Sequence, residues 1–170
     1  MFREIGRNKK QILSEDRVNA ILEKSTSGVL ALIGDNGYTY GVPMSYGYSD
    51  GKLYFHSALK GHKVDAIKKH DLVSFTIIET DQVVPAEFTT YYRSVIVFGK
   101  IHPINDAEGK REALSVLVKK YSPDYIEEGR TEIEDGLSGV QIFALDIEHM
   151  SGKEAMELTG EANVWGEVNA

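Results

Sequence analysis

The segment His56-Ser57-Ala58-Leu59-Lys60-Gly61-His62-Lys63 concentrates more chemistry than any other stretch of the chain. A strand pattern runs into it and a helix pattern leaves it, so Lys60, His62 and Lys63 gather at a helix N-terminus. Aligned peptide dipoles already put about half a positive charge there, and each added cation costs ~0.3–1 kcal/mol unless an anion joins it. Free N–H groups of a first helical turn are natural phosphate ligands, and the Ser57 hydroxyl adds another donor. The pattern reads as an anion site, with a solvated lysine-rich helix as the alternative. That alternative suits Lys68, Lys69 and His70, which stand where the C-terminal dipole favours cations. His56 is a candidate proton donor or polar contact for a substrate, or else a structural hydrogen bonder.

Two further segments carry usable groups. In Tyr40-Gly41-Val42-Pro43-Met44-Ser45, Gly41 permits close approach by a flat ligand and Pro43 removes one backbone donor. Met44 offers a soft apolar contact and Ser45 a hydroxyl, although an irregular edge strand explains the same residues. Arg93-Ser94 opens the apolar run Val95-Ile96-Val97-Phe98, which places Arg93 either at a pocket rim or on an ordinary surface. There is no His-Glu-x-x-His, P-loop, Gly-x-Ser-x-Gly or Gly-x-Gly-x-x-Gly motif. Without cysteine there is no thiol nucleophile, thiolate metal site or disulfide. The acidic run from Glu127 to Asp135 lacks the ligand spacing of a calcium loop and reads as a solvated loop.

These groups need a frame. With 170 residues, 42% of them apolar, the chain is long enough for one domain with a real core. A net charge of −7 argues against nonspecific nucleic-acid binding. No apolar run approaches the roughly 18–20 residues of a membrane span, and residues 1–5 lack a signal-peptide pattern. A cytoplasmic protein is expected.

Ser14 caps a helix with Val18, Ile21 and Leu22 as its apolar stripe. Strands are expected at 29–33, 38–48, 52–56, 72–78, 91–104 and 140–147, with Gly34-Asp35-Asn36-Gly37 and Ser49-Asp50-Gly51 as turns. Helices are expected at 61–70 and 107–121, a loop at 79–90 and a bend at Gly99. The expected architecture is mainly β, a six-stranded antiparallel barrel decorated by helices. A doubly wound sheet would need more helical crossovers. Residues 1–150 would form the domain and 151–170 a tail placed to pack on a partner subunit.

In order and spacing, the segments 41–48, 50–58, 61–63 and 92–100 resemble the FMN-binding split-barrel superfamily of pyridoxamine 5′-phosphate oxidases. The nearest group in it is the Nim-like 5-nitroimidazole-resistance reductases. The likeness spans residues 12–121. It implies a two-fold homodimer with FMN lying between the barrels. His62 and Lys63 would replace the family's Arg-Lys phosphate pair, with Lys60 beside them. Phe55, His56 and Ser57 would flank the ribityl chain and phosphate, and Tyr40, Val42, Pro43, Met44 and Ser45 the flavin ring. Ser94 falls where the oxidases carry a glutamine, and Arg93 matches the arginine before it. Histidine at 62 makes that phosphate contact pH-dependent. The oxidases' C-terminal Trp and Arg pattern is not recognisable, so vitamin B6 oxidation is not expected. Trp165 either covers a partner's flavin or packs locally.

The implied function is an FMN-dependent oxidoreductase reducing a small electron-poor aromatic such as a nitroimidazole, with NAD(P)H as a transient reductant. The alternatives are a flavin carrier, sensor or stress protein, and a haem-binding relative with His70, His102 or His149 as axial ligand.

Overall fold

The computed structural model describes residue 2 and residues 8–159; Trp165 and the rest of the expected tail from 160 onward lie outside the described residues. The Ser14 hydroxyl accepts the Arg17 N–H and starts α1 (Glu15–Lys24), with Val18, Ile21 and Leu22 buried as expected. There follow β1 (Ser27–Ile33), β2 (Thr39–Ser45), β3 (Gly47–Ser49), β4 (Lys52–Ala58) and α2 (His62–Lys69). Next come β5 (Leu72–Val84), β6 (Thr89–Ile104), α3 (Ala107–Tyr121), α4 (Ile126–Gly136) and β7 (Val140–Glu154).

The seven strands form one antiparallel sheet in the order β2-β1-β5-β6-β7-β4-β3. This order makes the barrel. β2 and β3 occupy opposite edges of the sheet, yet Tyr46 alone separates them in sequence. Two peptide steps reach about 7.6 Å at most, so the sheet must curl until its edges meet at Tyr46. Tyr46 is wholly buried, and its hydroxyl donates to the Leu22 carbonyl at 2.8 Å. Its ring and that of Phe55 both meet Phe75 edge-on, at 5.0 and 5.2 Å between centroids, in the centre of the core. The architecture is thus the expected mainly β barrel, with seven strands in place of six because Tyr46 divides the strand expected over 38–48.

Three expectations change. Residues 79–90 are not a loop: β5 and β6 stay paired out to Val84 and Thr89, with a register shift between Ile78 and Thr80. Outside the barrel this ribbon meets solvent on both faces, and its polar side chains hide the alternation that marks a strand. The acidic run is α4, carried by Ile133 buried on one face and by the ion pair of Glu134 with Arg111. The last strand continues past Ile147 to Glu154. The bend at Gly99 is present as a bulge against β7, where any side chain would collide with the Asp146 carbonyl. α3 rests on β3 and β4, and α4 on α3. No described helix is long and apolar enough to cross a membrane.

Candidate functional site

Gly61 is the N-cap of α2 at φ 138°, a conformation that side chains rarely adopt, and no side chain caps the helix. A Cβ placed on Gly61 would meet nothing within 4 Å, so the space in front of the helix is open. Lys60 is exposed beside it and Lys63 half-buried in its first turn. Uncapped N–H groups, open space and two ammonium groups make this end able to receive a phosphate.

The structure joins this end to β2. The His62 ring stacks on Tyr40 at 4.2 Å with a 17° interplanar angle, and its Nε2 lies 3.2 Å from the Asp35 carboxylate. Lys63 Nζ lies 3.6 Å from the Met44 sulfur. Two of the three sequence segments therefore meet here. In the sequence Asp35 is legible only as a turn residue, and nothing in the local pattern marks it as the partner of His62.

β2 is an edge strand, as Pro43 led one to expect. The Gly34 N–H donates to the Tyr38 carbonyl at 2.8 Å. Steps of two along the register then put Tyr40, Val42 and Met44 in the pairs bonded to β1. The main-chain groups of Gly41, Pro43 and Ser45 face the open edge, where a residue without N–H is tolerated. This edge is a row of acceptors and donors able to read the polar rim of a flat heterocycle.

On β4, Phe55 points into the core and presents no side-chain surface. Ser57 is buried, with its hydroxyl donating to the Ala58 carbonyl at 2.9 Å. His56 is exposed on the outer face. Together with Ser45 it borders a groove of about 680 Å³ roofed by α3 and α4. A larger hollow of about 970 Å³ between α1 and β7 is lined by none of the residues expected to hold flavin, although His149, one of the histidines considered for haem, borders it.

Arg93 and Ser94 are not brought to this cluster within one chain. β6 is the third strand from β2, so about 14 Å of sheet lies between them. Arg93 is buried, its Nε 3.1 Å from Glu154 and its Nη1 3.3 Å from Glu79. Arg17 grips the same Glu154 through two contacts of 2.7 Å. Of the histidines considered for haem, His102 lies 3.0 Å from Asp146 and His149 stacks on Phe2 at 4.7 Å. His70 is exposed at the end of α2.

Residues 14–154 match the family model for pyridoxamine 5′-phosphate oxidase. The chain belongs to that family. Comparison with curated proteins gave no match. Among solved structures, this family member is similar to a Bacteroides thetaiotaomicron protein named "putative 5-nitroimidazole antibiotic resistance protein". The two are 24% identical over 84% of this chain and 86% of that one, with a TM-score of 0.69. It is also similar to an FAD and heme binding protein from Mycobacterium smegmatis, 23% identical over 87% and 74% of the two chains, TM-score 0.75. An FAD-binding protein from Mesorhizobium loti is 26% identical over 85% and 97%, TM-score 0.61. The pyridoxamine 5′-phosphate oxidase fold is thus shared with chains of differing names, and the site has to decide what this one does.

Proposed function

We propose that the protein binds FMN between two copies of itself and transfers electrons to a small electron-poor aromatic such as a nitroimidazole. The observation that carries this reading is the open, uncapped N-terminus of α2, flanked by Lys60 and Lys63, at the free edge of β2. The residues fit the group. Lys60, Lys63 and the first-turn N–H groups would hold the phosphate, and the Gly41, Pro43 and Ser45 main chain the polar rim of the ring. His62 is already engaged by Asp35 and Tyr40, so it acts more as a spacer between β2 and α2 than as a free phosphate ligand. The FAD-binding names of two structural neighbours support the coarser reading of a flavin. Bound FMN supplies two-electron redox chemistry, and the protein supplies position and electrostatics.

A second copy completes the site. Val29, Ile33, Ile78, Ile96 and Phe98 are all exposed. The register sets Val29, Thr76 and Ile96 in one row and Ala31, Ser74 and Phe98 in the next. Neither row carries a charge, while Lys153 opposite Ser94 and Lys100 opposite Leu72 stand at their margins, and an apolar patch of this kind is an association surface. Ser94, on the same face, would reach a flavin held by the other copy. Isologous pairing makes two equivalent sites.

The test is anaerobic reoxidation. Protein loaded with FMN and reduced by dithionite should be reoxidised by metronidazole faster than free reduced FMN is. A rate no greater than that of free FMN would leave a flavin carrier or sensor. Reduction of the bound flavin by NADH or NADPH would identify the donor.

A further inference from the structure

The groove under α3 and α4 combines an apolar floor with one sign of charge. Leu114, Leu117, Val118 and Ile133 line it, Tyr121 and Tyr125 stand along it, and neither lysine nor arginine reaches it. Gly129 shapes it: a Cβ there would lie 2.5 Å from Val118 Cγ1, so only glycine lets α4 come this close to α3. The Tyr121 ring is fixed, because its hydroxyl receives the Tyr46 N–H at 3.0 Å.

Four of the five carboxylates of α4, all of them exposed, divide into two sets, and Asp135 falls in neither. Glu127 pairs with Arg130 at 2.8 Å and Glu134 with Arg111 at 2.6 Å. Glu128 and Glu132 line the groove, one helical turn apart, and have no ion pair among the described residues. Like charges at this spacing repel. A cation between them would relieve that repulsion, and the Tyr121 and Tyr125 rings attract cations by their faces.

We propose that this groove binds a small organic cation: an apolar or aromatic body lies on Leu114 and Val118, and its ammonium or protonated ring nitrogen lies between Glu128 and Glu132. His56 and Ser45, at the strand end of the groove, join it to the open edge of β2. The assignment narrows the reduction proposed above to electron-poor aromatics that carry a separate amine, since a nitro group leaves an imidazole ring itself unprotonated at neutral pH, and it rests on that reading for turnover, but not for binding. It selects amines and heterocycles basic enough to be protonated over phosphorylated substrates, which the same two carboxylates repel.

Isosteric probes test it. 4-Phenylbutylamine, 4-phenylbutanol and 4-phenylbutyrate are titrated by calorimetry into the protein, with and without FMN. The amine should bind about tenfold tighter than the alcohol, and the anion weakest. In Glu128→Gln/Glu132→Gln the amine should fall to the level of the alcohol, and Leu114→Trp, which fills the groove, should weaken both. Equal binding of the three probes to the wild-type protein would overturn the proposal, as would an amine preference surviving in the double variant. The probe comparison on unsubstituted protein decides the matter even if a variant fails to fold. Amine selectivity in a protein that ignores FMN would keep the groove assignment and remove the flavin reading. FMN binding without amine selectivity would do the reverse.

Discussion

Glu154 is 2% exposed and is held by two arginines, Arg17 through both of its oxygens and Arg93 through one. Removing its charge would leave the buried Arg93 with Glu79 as its one remaining carboxylate among the described residues. Leaving a buried charge wholly unpaired costs about 3–5 kcal/mol; with Glu79 still beside Arg93, Glu154→Gln should lose part of that in urea unfolding, and an unchanged midpoint would show that the network contributes little. Arg93 is legible in the sequence as a residue of interest. Its counter-ion is not, because Glu154 lies 61 positions away and meets it only when β6 and β7 pair.

Lys120 gives a pH signature at the same scale. Burial pushes its amine down to about 8 from 10.5, while Nζ stays 3.8 Å over the Tyr46 ring and 3.1 Å from the Leu22 carbonyl. Between about pH 8 and 10.5 the unfolded chain binds more protons at this position than the folded one, so stability rises with pH across that window. Lys120→Met should lack this rise: the stability of wild type minus that of the variant should increase from pH 7.5 to 10. A constant difference would mean that the amine titrates normally.

Among the elements, the seam where β2 leaves the sheet and β3 rejoins it depends on α3. Tyr121 at the end of α3 accepts the Tyr46 N–H and lies 2.9 Å from the Tyr46 carbonyl. Tyr121→Phe leaves that buried N–H without an acceptor, at a cost of ~1–3 kcal/mol. Thermal unfolding should show the loss, and amide exchange at Tyr46 should accelerate; unaltered exchange would place the seam's stability elsewhere. α1, α2 and α3 are readable in the sequence because their buried residues recur at helical spacing. α4 and the outer half of the β5–β6 ribbon are not: each is mostly solvated, so tertiary position rather than pattern decides its state. The division at Tyr46 is hidden too, since it arises from closure of the whole sheet and leaves the local alternation intact.

For the whole molecule, the cationic head of α2, proposed to take the phosphate, is visible in the amino-acid sequence itself, as a cluster of cations where the helix dipole disfavours them. Its junction with β2 is not, because Asp35, Tyr40 and Met44 reach α2 only through the folded β1–β2 hairpin. Within a single chain, Arg93 and Ser94 stay apart from that junction. Flavin binding should therefore depend on association. Ile78, 64% exposed beside these apolar rows, can be changed without entering the core. Ile78→Glu should give a folded monomer by light scattering and circular dichroism, with FMN affinity reduced at least about tenfold. A monomer that binds FMN as tightly as wild type would confine the site to one chain.

The most direct measurement is a parallel titration of flavin-free protein with FMN, FAD and riboflavin, repeated on Lys60→Ala/Lys63→Ala. FMN should bind at least about tenfold tighter than riboflavin, and the double variant should lose that preference while keeping its riboflavin affinity. Equal affinity for FMN and riboflavin in the wild-type protein, or a preference untouched by the substitutions, would contradict a phosphate site at the head of α2.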